Sequence, residues 1–216
     1  KIDVNFPKDY VSRGAYKLLG AIDTFSLKFD EKVVLDLGAS TGGFTQVALE
    51  YGAKKVYAVD IGANELADTL KKDLRVVNMP NTDVRNLNKD IIKDSQIIIG
   101  DLSFISLTKI LPIIKQFFSE NLEMMFLFKP QFECGKEIAK KYKGVIKNEA
   151  IHIEILKNFL EFINHLGYYI SDLTFSPITG GDGNIEYLIY INGKYKKNVN
   201  IQKVVKEAFK GLKKQK

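Results

Sequence analysis

Three carboxylates stand at or beside the end of a short apolar run: Asp36, Asp60 and Asp101. Ligands of open α/β sheets bind beyond the carboxyl ends of strands, where the strand order reverses, so acids at such ends are candidates for ligand contact. Asp36 is followed at once by a crowded turn, Gly38-Ala-Ser-Thr-Gly-Gly-Phe44. Small residues let a ligand approach the main chain, and the amides that open the following helix can donate to it. Asp60 lies 24 residues after Asp36, a separation suited to an acid that grips ribose hydroxyls from the second strand. Ile61 follows it and joins the candidate set. Asp83, after the third strand, can accept a hydrogen bond from an adenine amino group.

The glycines do not follow the G-x-G-x-x-G spacing of nicotinamide enzymes. An acid placed before the first glycine would repel a pyrophosphate and attract a cation. S-adenosyl-L-methionine carries a sulfonium and an ammonium and no phosphate, so the chemistry favours it over NAD. The candidate cofactor set is therefore Asp36, Gly38, Ala39, Ser40, Thr41, Gly42, Gly43, Phe44, Asp60, Ile61, Asp83 and Asp101. No metal ligand set is read.

These residues need strands and helices to carry them. Apolar runs predict strands over 32–37, 55–59, 75–78, 96–100, 122–128, 168–175 and 185–191. Near-continuous apolar character marks the first as covered on both faces, as in parallel sheets. Phe44, Val47, Ala48 and Tyr51 recur at helical spacing, with Gly52 as the stop. Further helices are expected from Ser12 as N-cap through Phe25, over 64–70, over 106–118 with Pro112 as a kink or a new start, from Asn148 to Leu166, and over 199–212. The polar stretch 131–147 reads as a mobile loop, and 176–184 as a Pro/Gly turn region. The expected fold is a doubly wound, seven-stranded Rossmann-like α/β sheet with an antiparallel hairpin at one edge.

The 216 residues suit one domain, 1–216, with an irregular lead-in over 1–10 and a basic amphipathic helix and tail over 199–216. No apolar run approaches the roughly 18–20 residues that span a bilayer. The single cysteine, Cys134, excludes an internal disulfide and fits a reducing cytoplasm. Net charge is +6, and residues 194–216 hold nine lysines against one acid, so the surplus lies at the C-terminal end. It is a candidate for a polyanion surface.

Six blocks in consecutive order carry a resemblance: Tyr10-Val-Ser-Arg-Gly-Ala-Tyr-Lys-Leu, Leu35-Asp-Leu-Gly-Ala-Ser-Thr-Gly-Gly-Phe-Thr, Gly52-Ala-Lys-Lys-Val-Tyr-Ala-Val-Asp, Asp101-Leu-Ser-Phe-Ile-Ser-Leu, Lys129-Pro-Gln-Phe-Glu and Ser176-Pro-Ile-Thr-Gly-Gly-Asp-Gly-Asn-Ile-Glu-Tyr-Leu. They resemble the haemolysin A (TlyA) family of FtsJ-like RNA 2′-O-methyltransferases. The resemblance implies a Lys-Asp-Lys-Glu tetrad at Lys17, Asp101, Lys129 and Glu186. It also implies S-adenosyl-L-methionine as methyl donor and cytidine ribose in small- or large-subunit ribosomal RNA as acceptor. A ribose 2′-hydroxyl is a poor nucleophile at neutral pH, so a group must take its proton or hold the developing oxyanion. Lys129 is the candidate. A free lysine is mostly charged at neutral pH, so it acts as a base only where burial, Lys17 or the cofactor cation disfavours that charge.

Family members carry an N-terminal RNA-binding domain of the S4 type, which this sequence lacks, and the first residue is Lys, as expected of an excised piece. Ribosomal RNA or ribosomal subunits are the expected partners, with no DNA, held through Arg13, the lysines of 136–143 and the C-terminal helix. The sequence gives no oligomeric state. Three alternatives stand beside this reading. The amphipathic helix over 199–212 suits a membrane-active haemolysin; the fold class suits a nicotinamide dehydrogenase; the basic surface suits an RNA-binding protein without catalysis.

Overall fold

The apolar runs become one seven-stranded sheet whose central strands are covered on both faces. The computed structural model of the chain describes residues 9–63 and 65–212. Residues 1–8 of the expected 1–10 lead-in, Asn64 and the end of the tail from 213 lie outside the described residues. In chain order the elements are α1 Gly14–Phe25, β1 Val33–Leu37, α2 Gly43–Glu50, β2 Lys55–Val59, α3 Asp68–Lys71, β3 Val76–Met79, α4 Lys89–Asp94 and β4 Ile97–Gly100. They continue as α5 Leu111–Lys115, β5 Glu123–Phe128, α6 Pro130–Glu133, α7 Gly135–Tyr142, α8 Glu149–His165, β6 Ile170–Phe175, β7 Tyr187–Asn192 and α9 Ile201–Leu212.

The sheet order is β3-β2-β1-β4-β5-β7-β6. The first five strands pair in parallel, β7 runs antiparallel to β5, and β6 runs antiparallel to β7. Strand order reverses between β1 and β4, so the crevice beyond their carboxyl ends is where a ligand binds in such a sheet. Alternation along β5 splits the core in two. Met124, Phe126 and Phe128 pack with α4, α5, α8 and α9, while Met125 and Leu127 pack with α1 and α2. Every residue of β1 and β4 is buried, which accounts for their apolar sequence, broken only by Asp36.

The structure corrects several sequence-based expectations. Arg13, not Ser12, holds the N-cap position of α1, and it makes no side-chain cap bond. The expected helix over 64–70 shortens to α3, because Ala67 N donates to Thr41 O and ties the preceding segment under the glycine turn. The expected helix over 106–118 divides into a 3₁₀ turn over Leu107–Lys109 and α5. Pro112 sits in the first turn of α5, where its missing N–H costs nothing, so it marks a new start. The expected loop over 131–147 instead forms α6 and α7. Ile138 and Tyr142, four apart on α7, pack against the core and hold that helix down.

The helix expected over 199–212 is α9. Its apolar face, Val205, Ala208, Phe209 and Leu212, is buried in the core and packs on α8 and β6. That face is therefore committed to the fold, which removes the feature that favoured a membrane-active helix. Among the described residues no helix is long and apolar enough to cross a membrane.

Candidate active site

The glycine turn after β1 is shaped by its neighbours on both sides. Gly38 has φ +80°, and a side chain there would meet the carbonyl of Asp101 at 2.9 Å. Register explains the approach, since Leu37 pairs with Gly100 at the ends of β1 and β4. The amides of Gly38 and Ala39 both donate to Val59 O. Gly42, with φ +100°, caps α2, and Leu66 and Leu70 fill the space a side chain would need. Asp60 ties two loops together: Oδ2 accepts from Ser40 N at 2.8 Å and Oδ1 from Gly62 N at 2.7 Å.

Two cavities meet at this turn. One, of about 550 Å³, is lined by Asp60, Ile61, Asp83, Val84, Leu102 and Ile110, among others. The other, of about 580 Å³, holds Lys17, Asp101, Lys129, Gln131 and Glu186. Gly38, Ser40, Asp101, Ser103 and Phe104 line both and form the seam.

The sequence-derived candidates divide between the cavities. Asp60, Ile61 and Asp83 face the first; Ala39, Thr41, Gly43 and Phe44 face the second. Gly42 and Asp36 line neither. Asp83 accepts from Arg85 N and is ion-paired with the Arg85 guanidinium, which holds its carboxyl below the usual range. Asp36 departs from its expected place. Its side chain is fully buried beneath the turn, Oδ2 accepts from Thr45 Oγ1 at 2.6 Å, and Oδ1 has no hydrogen-bond partner. Burial pushes its carboxyl up to about 7 against the opposing Thr45 bond. A carboxyl so placed cannot meet a ligand directly, so contact with a cationic ligand falls to groups at the cavity surface.

The four residues of the second cavity come from four separated segments and meet within ion-pair distance. Lys17 Nζ lies 3.2 Å from Asp101 Oδ2 and 2.8 Å from Glu186 Oε2. Lys129 Nζ lies 2.6 Å from Asp101 Oδ1 and donates to Ser103 Oγ at 2.7 Å. Lys17, Lys129 and Glu186 are all buried. The antiparallel β7 makes this possible. Phe128 pairs with Tyr187, so Glu186, just before β7, stands beside Lys129, just after β5. Lys17 reaches in from α1, which packs on α2 and β7.

Charge pairing overrides burial here. Burial works to raise the Asp101 carboxyl, yet the Lys129 and Lys17 ammoniums together hold it below the usual carboxylate range. Burial works to lower Lys17, yet Asp101 and Glu186 hold it above the usual lysine value. The four formal charges sum to zero, which is what a buried ionic cluster requires.

Sequence reading missed several contributors. Ser103 follows Asp101 by two residues, and that proximity was the available signal. Thr45 follows Asp36 by nine and reaches back to it from α2. Glu65 accepts from Ser40 Oγ at 3.1 Å at the rim of the first cavity. Glu133 on α6 accepts from Ser106 Oγ and Leu107 N, pinning the loop after β4 to the segment after β5; nothing in its spacing announces this.

The donor set of the first cavity suits S-adenosyl-L-methionine. The first cavity offers carboxylates at Asp60 and Asp83 as hydrogen-bond acceptors and apolar walls at Val84, Leu102 and Ile110 that suit a flat base. Its volume is in the range of small-molecule sites. The residues fit that group.

Sheet order, switch-point crevice and lysine-acid cluster together define an α/β methyltransferase. The family model for FtsJ-like methyltransferases matches residues 10–193. The chain is 42% identical to "Putative rRNA methyltransferase YqxC" of Bacillus subtilis, over 97% of this chain and 78% of that protein. It is 37% identical to "16S/23S rRNA (cytidine-2'-O)-methyltransferase TlyA" of Mycobacterium tuberculosis, over 84% of this chain and 68% of that one. The solved structure "Putative hemolysin from Streptococcus thermophilus" superposes with a TM-score of 0.88 at 38% identity, covering 96% of this chain and 77% of that one. The chain belongs to the FtsJ-like methyltransferase family.

Proposed function

We propose that the protein methylates a ribose 2′-hydroxyl of cytidine in ribosomal RNA, using S-adenosyl-L-methionine. The observation that carries this is the Lys17–Asp101–Lys129–Glu186 cluster in the second cavity, which meets the first through Asp101. A likeness to relatives named rRNA (cytidine-2'-O)-methyltransferase supports it.

When bound, the cofactor supplies an electrophilic methyl group on a sulfonium sulfur, and loss of that methyl leaves a neutral thioether. Asp60 takes the cofactor ribose hydroxyls, and Asp83 the adenine amino group. The glycine turn leaves its main chain open beside the seam. Lys129 accepts the proton of the 2′-hydroxyl as that oxygen attacks or, in its charged form, holds the developing negative charge. Asp101 fixes Lys129 through one oxygen and Lys17 through the other. Glu186 holds Lys17 from the far side. The rigid clamp keeps the attacking oxygen in line, and alignment of this kind supplies much of the rate in such reactions. Arg13, at the mouth of the second cavity, and the exposed lysines of α7 and α9 meet RNA phosphates.

The test is transfer of labelled methyl to ribosomal subunits lacking the modification, followed by mapping of 2′-O-methyl groups. Wild-type protein is expected to label cytidine ribose. Lys129→Ala should slow transfer by about 10²–10⁴-fold while calorimetry finds cofactor affinity unchanged. Wild-type turnover in Lys129→Ala would sink the assignment, and label on a base rather than a ribose would redirect it.

A further inference from the structure

The two lysines of the cluster are held differently. Lys17 lies between two carboxylates, Asp101 Oδ2 and Glu186 Oε2. Lys129 lies between one carboxylate oxygen and one neutral hydroxyl, Asp101 Oδ1 and Ser103 Oγ. An ammonium has three N–H directions and no acceptor. Ser103 Oγ takes one of those of Lys129 as a hydrogen bond at 2.7 Å, while Asp101 Oδ1 attracts the ammonium as an ion pair at 2.6 Å, so the nitrogen is steered from two sides.

We infer that Ser103 is a positioning residue for Lys129, turning its nitrogen so that an N–H direction not taken by Ser103 meets the ribose oxygen. This rests on the reading of Lys129 given under Proposed function. Were the hydroxyl absent, the strongest attraction left to the ammonium would be the Asp101 carboxylate, and the side chain would settle onto it. Ser103 prevents that by drawing Lys129 sideways with a neutral acceptor that adds no second negative charge. A carboxylate at this position would clamp Lys129 as firmly as Lys17 is clamped.

The surroundings of Ser103 suit this task. It is exposed and lines both cavities, so it packs no core and its hydroxyl proton is free to turn toward either one. On one side Leu102 is buried and anchors the loop after β4. On the other, Phe104 adopts φ +63°, a left-handed conformation that a bulky residue rarely takes. Such strain, of about 1–3 kcal/mol, persists where the surrounding structure fixes the backbone. The loop that presents Ser103 is thus held in place from both ends.

The experiment measures methyl transfer from labelled S-adenosyl-L-methionine to unmodified ribosomal subunits for wild type, Ser103→Ala, Ser103→Thr and Lys129→Ala. Cofactor affinity is measured by calorimetry and folding by thermal denaturation. Misplacing a reacting group by about 1 Å can cost about 10²-fold. Ser103→Ala is therefore expected to lower kcat by about 10- to 100-fold with KM for both substrates nearly unchanged. Ser103→Thr keeps the oxygen and should recover most of the loss. Ser103→Ala with wild-type kcat would overturn the inference. So would a loss confined to the KM for cofactor, because Ser103 would then be a cofactor contact. Wild-type turnover in Lys129→Ala would overturn the parent reading as well, since Ser103 would have nothing to position. A dead Lys129→Ala beside a normal Ser103→Ala would overturn this inference alone.

Discussion

The two cavities that share the seam are built in opposite ways. The first takes its polar groups from segments that directly follow parallel strands: the turn after β1, Asp60 after β2, Asp83 after β3 and the loop after β4. Each is local to its own strand, and many of the hydrogen bonds that shape it come from main-chain amides. The second is made of side chains from α1, the loop after β4, the end of β5 and the segment before β7, which touch only because the sheet brings them together. The first cavity is held by backbone geometry and the second by charge. Damage to the second should therefore spread to the fold, whereas damage to the first should stay with the ligand.

Removal of Lys17 is the harshest test of that contrast. Lys17→Met leaves Asp101 and Glu186 buried without one of their countercharges. Breaking a buried pair by deleting one partner costs about 3–5 kcal/mol, and this change strips a partner from two carboxylates. Denaturant unfolding is expected to show a loss near the top of that range, together with loss of methyl transfer. A variant as stable as wild type would mean that the cluster does not support the fold.

Asp36 asks the converse question beneath the glycine turn. Its carboxyl is raised to about 7 in the folded protein from an ordinary 3.8. The folded state therefore binds the proton more tightly than the unfolded one. Stability from this group is full below about pH 4 and is lost as pH rises toward 7. Asp36→Asn keeps an acceptor for Thr45 and never ionises. It should be more stable than wild type at pH 8 by about 4 kcal/mol, about three pKa units at 1.36 kcal/mol each, with no advantage near pH 4. His152 has the opposite sign. Burial lowers it to about 4, so its contribution rises with pH from about 4 to 6.5 and masks part of the Asp36 slope in the wild type. Comparing the two proteins across pH 4–8 by denaturant titration isolates the Asp36 term.

Asp60→Ala is the mildest change and should stay local. It removes a charged acceptor from the first cavity, worth about 1.5–3 kcal/mol per bond. Calorimetry should find cofactor affinity weakened by about 10- to 100-fold, with kcat at saturating cofactor close to wild type. Equal affinity would remove Asp60 from the ribose role.

The same contrast explains what could be read from the chain alone. The first cavity was legible because an apolar run, a glycine turn and an acid are contiguous, and because the fold places such ends together. The sheet with its antiparallel edge was legible from run length and from the Pro/Gly turn region between β6 and β7. The reach of Asp36 was misread because sequence gives its position on the strand but not the depth of its side chain. The tetrad had no local signature. Lys17 is one lysine beside an apolar helix face, and Glu186 is one acid before a strand; only the resemblance picked them out. Ser103 carried only its nearness to Asp101 as a signal, since its significance lies in a lysine 26 residues away. The helix α7 was missed because its two apolar anchors are diluted by lysines.

The insertion of β7 beside β5 has a consequence for the order in which the protein becomes competent. The turn after β1 and the acids after β2, β3 and β4 are all in place once about half of the chain exists. The carboxylate that completes the clamp on Lys17 lies 169 positions further along than its partner. Contacts of such separation form late, because the intervening chain must be ordered before they are rewarded. A chain stopped short of residue 186 would lack the carboxylate that completes the clamp on Lys17, even with every acid of the first cavity already made.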